Sequence, residues 1–188
     1  MQHPERTRVI EGLIFFAGFV ACVPAANWLI GNVGTFCVPN GPCLIPVAPG
    51  IDAPSGVLMI GLALVLRDLV QRRLGVGWAL AAIAVGTALS AFIAPAPLVI
   101  ASATAFLLSE VADLAVYTPL QRRRMMAAVL ASGLVGLVVD SIVFLWLAFG
   151  SLTYLPGQVI GKAWMVLLAL PLIAWLRSRD DRIGLAAA

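Results

Sequence analysis

Six long apolar runs dominate this chain and constrain its fold more than any other feature. Each run is close to the roughly 20 residues that a helix needs to cross a bilayer. Of the 188 residues, 62% are hydrophobic and only 11% are charged, against about 25% charged residues in soluble domains. The runs cover residues 9–30, 55–74, 76–94, 97–120, 125–150 and 157–176. The sequence therefore predicts an all-α integral membrane protein, a single transmembrane domain over residues 1–188 with six transmembrane helices.

The basic residues predict which side of the membrane each connection occupies. Arginines flank the first run, the end of the second, the turn between the fourth and fifth, and the end of the sixth. They are Arg6, Arg8, Arg72, Arg73, Arg122, Arg123, Arg124, Arg177, Arg179 and Arg182. The alternate connections, at 32–54, 95–97 and 151–156, contain no Lys or Arg. Because cytoplasmic loops are enriched in basic residues, both termini are predicted to be cytoplasmic. The net charge of +3 follows from this distribution, so nucleic acid is not an expected partner.

The first outer connection is long and rich in Gly and Pro, and it contains Cys37 and Cys43. Disulfides form on the oxidising side of a membrane, so we predict that these two cysteines are bonded. The alternative is two free thiols in a re-entrant segment. The sequence has no Cys-x-x-Cys pair, and His3 is its only histidine. Neither a zinc site nor a haem site is therefore expected, and no cofactor is predicted.

Charged side chains within the fourth run give the clearest functional signal. A charge at bilayer depth costs about 2.5–3.5 kcal/mol on insertion scales, and such residues typically mark substrate or ion pathways. Glu110 and Asp113 are three residues apart, so they share a helix face. Ser102, Phe106 and Tyr117 lie on or near the same stripe. This stripe is predicted to face a cavity or a partner; the alternative is a structural hydrogen-bonded link between helices.

The sequence predicts two further ion pairs. Lys162, the only lysine, lies in the outer half of the sixth run, and Asp140 lies on a face of small residues in the fifth. Asp140 is roughly 15 Å below the outer end of its helix, within reach of the long Lys162 side chain. We predict an ion pair; the alternative is that Lys162 snorkels to the outer interface. Asp68 and Arg72 are four residues apart and predict a local ion pair, with a gate-latching role as the alternative.

An amide and several aromatic rings accompany these charges. The candidate substrate-binding residues are Glu110, Asn27, Asp113, Asp140, Lys162, Phe106, Trp28 and Trp164. Amides, carboxylates and flat rings suit a small, flat, hydrogen-bonding solute. A carboxylate accepts two adjacent N–H groups at once, as on a guanine-type edge, and we assign that role to Glu110. For Asn27 and Trp28, a helix-end amide beside an interfacial tryptophan is the alternative.

The segments that contain these residues resemble the VUT family of queuosine-precursor transporters. The matching segments are 26–29 with Asn27 and Trp28, 66–75 with Arg67 and Asp68, 102–120 with Glu110 and Asp113, 136–144 with Asp140, and the basic position Lys162. The resemblance implies a multi-pass protein of the bacterial cytoplasmic (inner) membrane. It also implies uptake of 7-cyano-7-deazaguanine (preQ0) or a related 7-deazapurine, bound in a central cavity lined by intramembrane carboxylates.

The chain departs from the family pattern at three places. Ala26 stands where the family usually has Ser, the Cys37–Cys43 loop is unusual, and the C-terminal segment is shorter. These departures leave the choice open among preQ0, preQ1, queuine and another purine analogue.

The sequence is compatible with functional classes other than a stand-alone transporter. One alternative is the substrate-binding subunit of an energy-coupling-factor transporter, which docks on its partner through small residues of the first helix. Ala17, Ala21 and Ala25 have that spacing, although the same spacing serves ordinary helix packing. An enzyme is not expected, because no Gly-x-Ser-x-Gly elbow, intramembrane histidine or metal-spaced acidic cluster is present. The expected partners are the small-molecule substrate and the lipid bilayer; the sequence leaves open whether the protein forms a homo-oligomer.

Overall fold

The computed structural model describes residues 2–121 and 125–183, and in them the chain forms six helices, one for each predicted span. The helices are α1 Gln2–Asn32, α2 Val57–Leu74, α3 Val76–Ser90, α4 Ala96–Gln121, α5 Met125–Phe149 and α6 Leu155–Ile183. The arginine turn at 122–124 lies outside the described residues, as do the side chains of Tyr117 and Arg177.

Four of the helices in the described part of the chain, α1, α4, α5 and α6, are long and apolar enough to cross a membrane. α3 has 15 residues, and α2 carries Arg67, Asp68, Arg72 and Arg73 in its second half. Large apolar side chains such as Ile14, Val111 and Leu168 are exposed on the outside of the bundle. Because a lipid environment covers such side chains, the structure supports a multi-pass membrane protein.

The helices pack so that α2 is enclosed by its neighbours. α2 contacts α1, α3 and α6, while α4 packs chiefly against α5. Gly75, with φ +91°, makes the tight turn from α2 to α3. At the α2–α6 crossing, a Cβ on Gly61 would lie 2.8 Å from Met165 Cβ and 3.0 Å from Lys162 Cα. This close approach holds Lys162 in the interior.

The connection between α1 and α2 forms a three-stranded antiparallel sheet, so the all-α prediction was wrong for this segment. The strands are β1 Phe36–Cys37, β2 Cys43–Ala48 and β3 Ile51–Pro54, in the order β1-β2-β3. The register of β2 and β3 is irregular between Pro46 and Ala48. A strand tolerates proline at such an irregularity. Glycine and proline are depleted in strands, so the Gly and Pro content of this connection did not indicate a sheet.

The predicted disulfide between Cys37 and Cys43 is confirmed. The two residues are direct partners in the β1–β2 ladder, so the bond closes the hairpin across one pair of positions. The alternative of two free thiols in a re-entrant segment is wrong. Cys22 is a buried free thiol in α1.

The core of the described residues contains three apolar clusters. The largest joins α1, α2, α3 and α4 around Phe19 and Phe106, whose ring centroids are 5.8 Å apart. The second lies nearer the sheet and joins Ile30 of α1, Ala101 of α4 and Phe144 of α5. The third joins α2 to α6. Polar side chains of α4 lie between and beyond these clusters.

Candidate functional site

The polar stripe of α4 faces the interior of the bundle. Ser102, Phe106 and Glu110 are all buried, whereas Leu107 and Val111 on the opposite face are more than half exposed. The i, i+4 spacing of Ser102, Phe106 and Glu110 places them one above another on the helix. The structure thus brings the predicted stripe into the protein and away from the lipid-facing side.

Glu110 is held by Arg67 of α2, which the sequence reasoning had not included in the site. Arg67 Nη1 donates to Glu110 Oε1, and both side chains are about nine-tenths buried. Arg67 also donates to Asp68 Oδ1 through Nε at 3.0 Å and Nη2 at 2.7 Å. An arginine offsets the cost of burying the carboxylate only when the two groups are paired this closely.

The predicted Asp68–Arg72 pair is wrong. Asp68 pairs with Arg67, its neighbour in the chain, and Arg72 Nη2 reaches Asp180 Oδ2 of α6 at 3.3 Å. The helix spacing of four favoured a local contact, but α6 packs against α2 and offers Arg72 a carboxylate that is distant in sequence.

The predicted pair of Asp140 and Lys162 is confirmed. Lys162 is fully buried, and its Nζ lies 2.5 Å from Asp140 Oδ2 and 2.9 Å from Ser141 Oγ. Snorkelling of Lys162 to the interface is therefore wrong. The ammonium ties α6 to two consecutive side chains of α5 and leaves the pair electrically neutral.

Asn27 is a buried polar residue between α1 and α4. Ser102 Oγ donates to Asn27 Oδ1 at 3.2 Å, and Asn27 Nδ2 has no hydrogen-bond partner within the described chain. Gln158, also buried, has an unpartnered Oε1 and lies one turn before Lys162, a spacing that could have marked it. A buried polar group without a partner costs about 1–3 kcal/mol. A ligand that forms hydrogen bonds with these two amides would remove that cost.

Asp113 and the aromatic candidates lie in different surroundings. Asp113 is partly buried beside α5, where a Cβ on Gly136 would lie 3.6 Å from Asp113 Cβ. Phe106 is buried against Phe19, one turn from Glu110. Trp28 and Trp164 are about half exposed, and Trp164 Nε1 donates to Val47 O at 3.0 Å. Of the three rings, Phe106 alone lies on the buried face of α4.

An ion-pair network that the sequence reasoning missed joins the ends of α1, α2 and α6. Arg73 is almost fully buried and reaches Glu11 at 3.0 Å and Asp180 at 2.7 Å. Arg179 contacts the same two carboxylates. The positive-inside pattern accounts for these arginines as topology signals only, and nothing in the spacing of Arg73 identifies the carboxylates of α1 and α6 as its partners.

Comparison with known proteins gives one match. A family model described as "putative vitamin uptake transporter" matches residues 90–176, a segment that extends from the end of α3 through most of α6 and includes Glu110, Asp140 and Lys162. No significant match was found among curated proteins or solved structures. The resemblance predicted from the sequence is confirmed over that segment, which is similar to the vitamin uptake transporter (VUT) family.

Proposed function

We propose that this protein is an uptake transporter of the bacterial cytoplasmic membrane for preQ0 or a related 7-deazapurine. The observation that carries the proposal is the family match over residues 90–176, because that segment contains most of the buried charges of the α4–α6 half. Four apolar helices long enough to span a membrane support the location. The distribution of arginines supports cytoplasmic termini, with the sheet on the outer face.

Glu110 is the proposed recognition group for the solute. Its carboxylate can accept two adjacent N–H groups of a deazaguanine edge, a contact worth about 1–3 kcal/mol of discrimination. Arg67 holds Glu110 in place and keeps its bonds to Asp68 when the carboxylate turns to the solute. The Glu110 carboxylate therefore exchanges one hydrogen-bonding partner, Arg67, for another, the solute. This exchange limits the free-energy cost of a buried carboxylate without a partner.

The remaining candidates complete the proposed central cavity. Asn27 offers the unpartnered Nδ2 donor for the opposite polar edge, and Phe106 offers a ring one turn from Glu110. In this proposal Asp113, Asp140 and Lys162 add to the polar lining, and Trp28 and Trp164, which are about half exposed, form its outer mouth. Because Lys162 and Asp140 neutralise each other, the lining favours a neutral solute over an ion.

The experiment is uptake of labelled preQ0 by cells that cannot synthesise it, with and without this protein. Glu110→Gln keeps the shape but replaces an acceptor with a donor that opposes the ligand N–H. Uptake should fall about tenfold or more, within the energy range of a bidentate contact. Expression should persist because Arg67 still has its ion pair with Asp68. Competition by 7-deazaadenine, which lacks the paired donors, should be weak against the wild-type protein.

The double variant Arg67→Gln with Glu110→Gln separates binding from charge compensation. If Glu110 serves only to neutralise Arg67, removing both charges should restore uptake. If Glu110 binds the solute, uptake should stay low. Normal uptake by Glu110→Gln alone would show that the carboxylate is structural.

The energy-coupling-factor subunit remains the second candidate, because Ala17 and Ala21 lie exposed on α1. Small exposed residues at a spacing of four allow another helix to approach closely. Purification from the native membrane decides between the two: ATPase subunits that copurify with the protein support the subunit, and uptake by the protein alone supports the stand-alone transporter.

A further inference from the structure

A cavity of about 350 Å³ lies on the face of the molecule that carries the sheet. It is bounded by the β2–β3 turn on one side and by the α5–α6 connection with the start of α6 on the other. The lining residues are Gly50, Ile51, Asp52, Thr153, Tyr154, Pro156 and Gly157. The volume is within the range of about 300–1,000 Å³ that is usual for small-molecule sites.

The walls of this cavity are fixed by close packing. A Cβ on Gly157 would lie 2.1 Å from Asp52 O, so only glycine lets α6 approach β3 this closely. Gly50, with φ +72°, makes the turn that forms the rim. The Trp164–Val47 hydrogen bond ties the same hairpin to α6. A preformed site loses less entropy when a ligand binds.

The chemistry of the cavity resembles that proposed for Glu110. Asp52 is the only acidic residue in the connections on this face, which contain no Lys or Arg. Its side chain is exposed and, in the part of the chain that the structure describes, has no ion pair or hydrogen bond. Tyr154 lines the same cavity and also packs against the apolar cluster around Phe144. A carboxylate with a neighbouring aromatic ring can accept paired N–H donors while the ring covers a flat face.

A buried acceptor follows the last lining residue in the sequence. Gln158 succeeds Gly157, its backbone N–H donates to Tyr154 O at 2.9 Å, and its Oε1 is unpartnered. Lys162 and Asp140 lie one turn deeper. The residues that line the cavity are therefore followed directly in the sequence by the buried polar residues of α6.

We propose that this cavity is an outer recognition site that captures the solute before it reaches Glu110. The ligand class is a small, flat nitrogen heterocycle with two adjacent N–H donors; Asp52 accepts them and Tyr154 stacks on the ring. This inference rests on the proposed function and on its orientation of the sheet toward the outside.

The test is the concentration dependence of preQ0 uptake by intact cells. Asp52→Asn should raise KM at least about fivefold, the lower part of the range for a bidentate contact, and leave the maximal rate unchanged. Tyr154→Leu should also raise KM, whereas Tyr154→Phe, which keeps the ring, should not. An unchanged KM in both Asp52→Asn and Tyr154→Leu would overturn the inference. A fall in maximal rate at constant KM would also overturn it, because that result indicates a structural role.

A matched control tests whether the carboxylate acts locally. Asn40 lies at the other end of β2, has φ +58° and does not line the cavity; aspartate also tolerates that conformation. Asp52→Asn with Asn40→Asp restores the charge of the outer face but not that of the cavity. KM should stay raised; recovery of KM would overturn the inference. If the wild-type protein takes up no preQ0, the proposed function fails and the inference with it, an outcome distinct from wild-type uptake with an unaffected Asp52→Asn.

Discussion

At the scale of single residues, the buried charges in the described part of the chain have opposite charges beside them. Arg67 contacts Glu110, Lys162 contacts Asp140, and Arg73 contacts Asp180. Each contact links two helices, and each partner is buried. Since an uncompensated buried charge costs several kcal/mol, these pairs constrain which helices can lie next to one another.

The Asp140–Lys162 pair gives a prediction that separates pairing from other roles. Asp140→Asn strands a fully buried ammonium and should destabilise the protein by about 3–5 kcal/mol. Adding Lys162→Met removes the stranded charge, so the double variant should be better expressed and melt at a higher temperature in detergent than the single variant. Ser141→Ala is the matched control, because it removes only the neutral contact of Lys162 and should have a much smaller effect. A double variant no more stable than Asp140→Asn would contradict the pairing.

The sequence predicted one of these pairs and missed the others for a physical reason. Lys162 is the only lysine, and it and Asp140 each lie in an apolar run, so few alternatives existed. Arg67 lies among four charged residues at one end of α2, where helix spacing favoured a local partner. The choice of Glu110, 43 positions away, depends on how α2 and α4 face each other, which local spacing does not encode.

At the scale of elements, α2 shows why the hydropathy pattern did not reveal that Arg67 and Arg73 are buried. Its neighbours α1, α3 and α6 surround it, so the side chains of Arg67 and Arg73 meet protein rather than lipid. An average over a hydropathy window treats all residues of a span alike. The existence of six helices was accessible from the apolar runs, whereas the burial of Arg67 and Arg73 depends on packing.

The sheet between α1 and α2 leads to a prediction about its disulfide. Alkylation of the unfolded, unreduced protein should label only Cys22, because Cys37 and Cys43 are bonded; reduction first should allow all three to be labelled. Five residues separate the bonded cysteines, so stabilisation should be toward the lower part of the usual range of about 2–4 kcal/mol. Mass spectrometry counts the labels, and three labels without reduction would contradict the bond.

At the scale of the whole molecule, the polar residues occupy three levels along the bundle. Asn27, Ser102 and Lys162 lie roughly 7–11 Å below the helix ends on the sheet side, at 1.5 Å per residue. Glu110 lies deeper, and the Arg73–Asp180 pair closes the opposite end. The Phe19–Phe106 contact occurs between the level of Ser102 and that of Glu110. On the proposed route from the outer level to Glu110, a solute would have to pass this pair of rings.

The orientation of the molecule is the last prediction, and the proposed outer site depends on it. A reporter fused after Arg182 should be cytoplasmic, and one inserted at Asn40 should be external. The physical reason is that the sheet and the other connections on its face contain no Lys or Arg, while arginines cluster at the opposite helix ends. The disulfide in the sheet agrees with an oxidising exterior. The reverse result would put the Cys37–Cys43 bond on the reducing side and turn the Asp52 cavity toward the cytoplasm, where it could not capture an incoming solute.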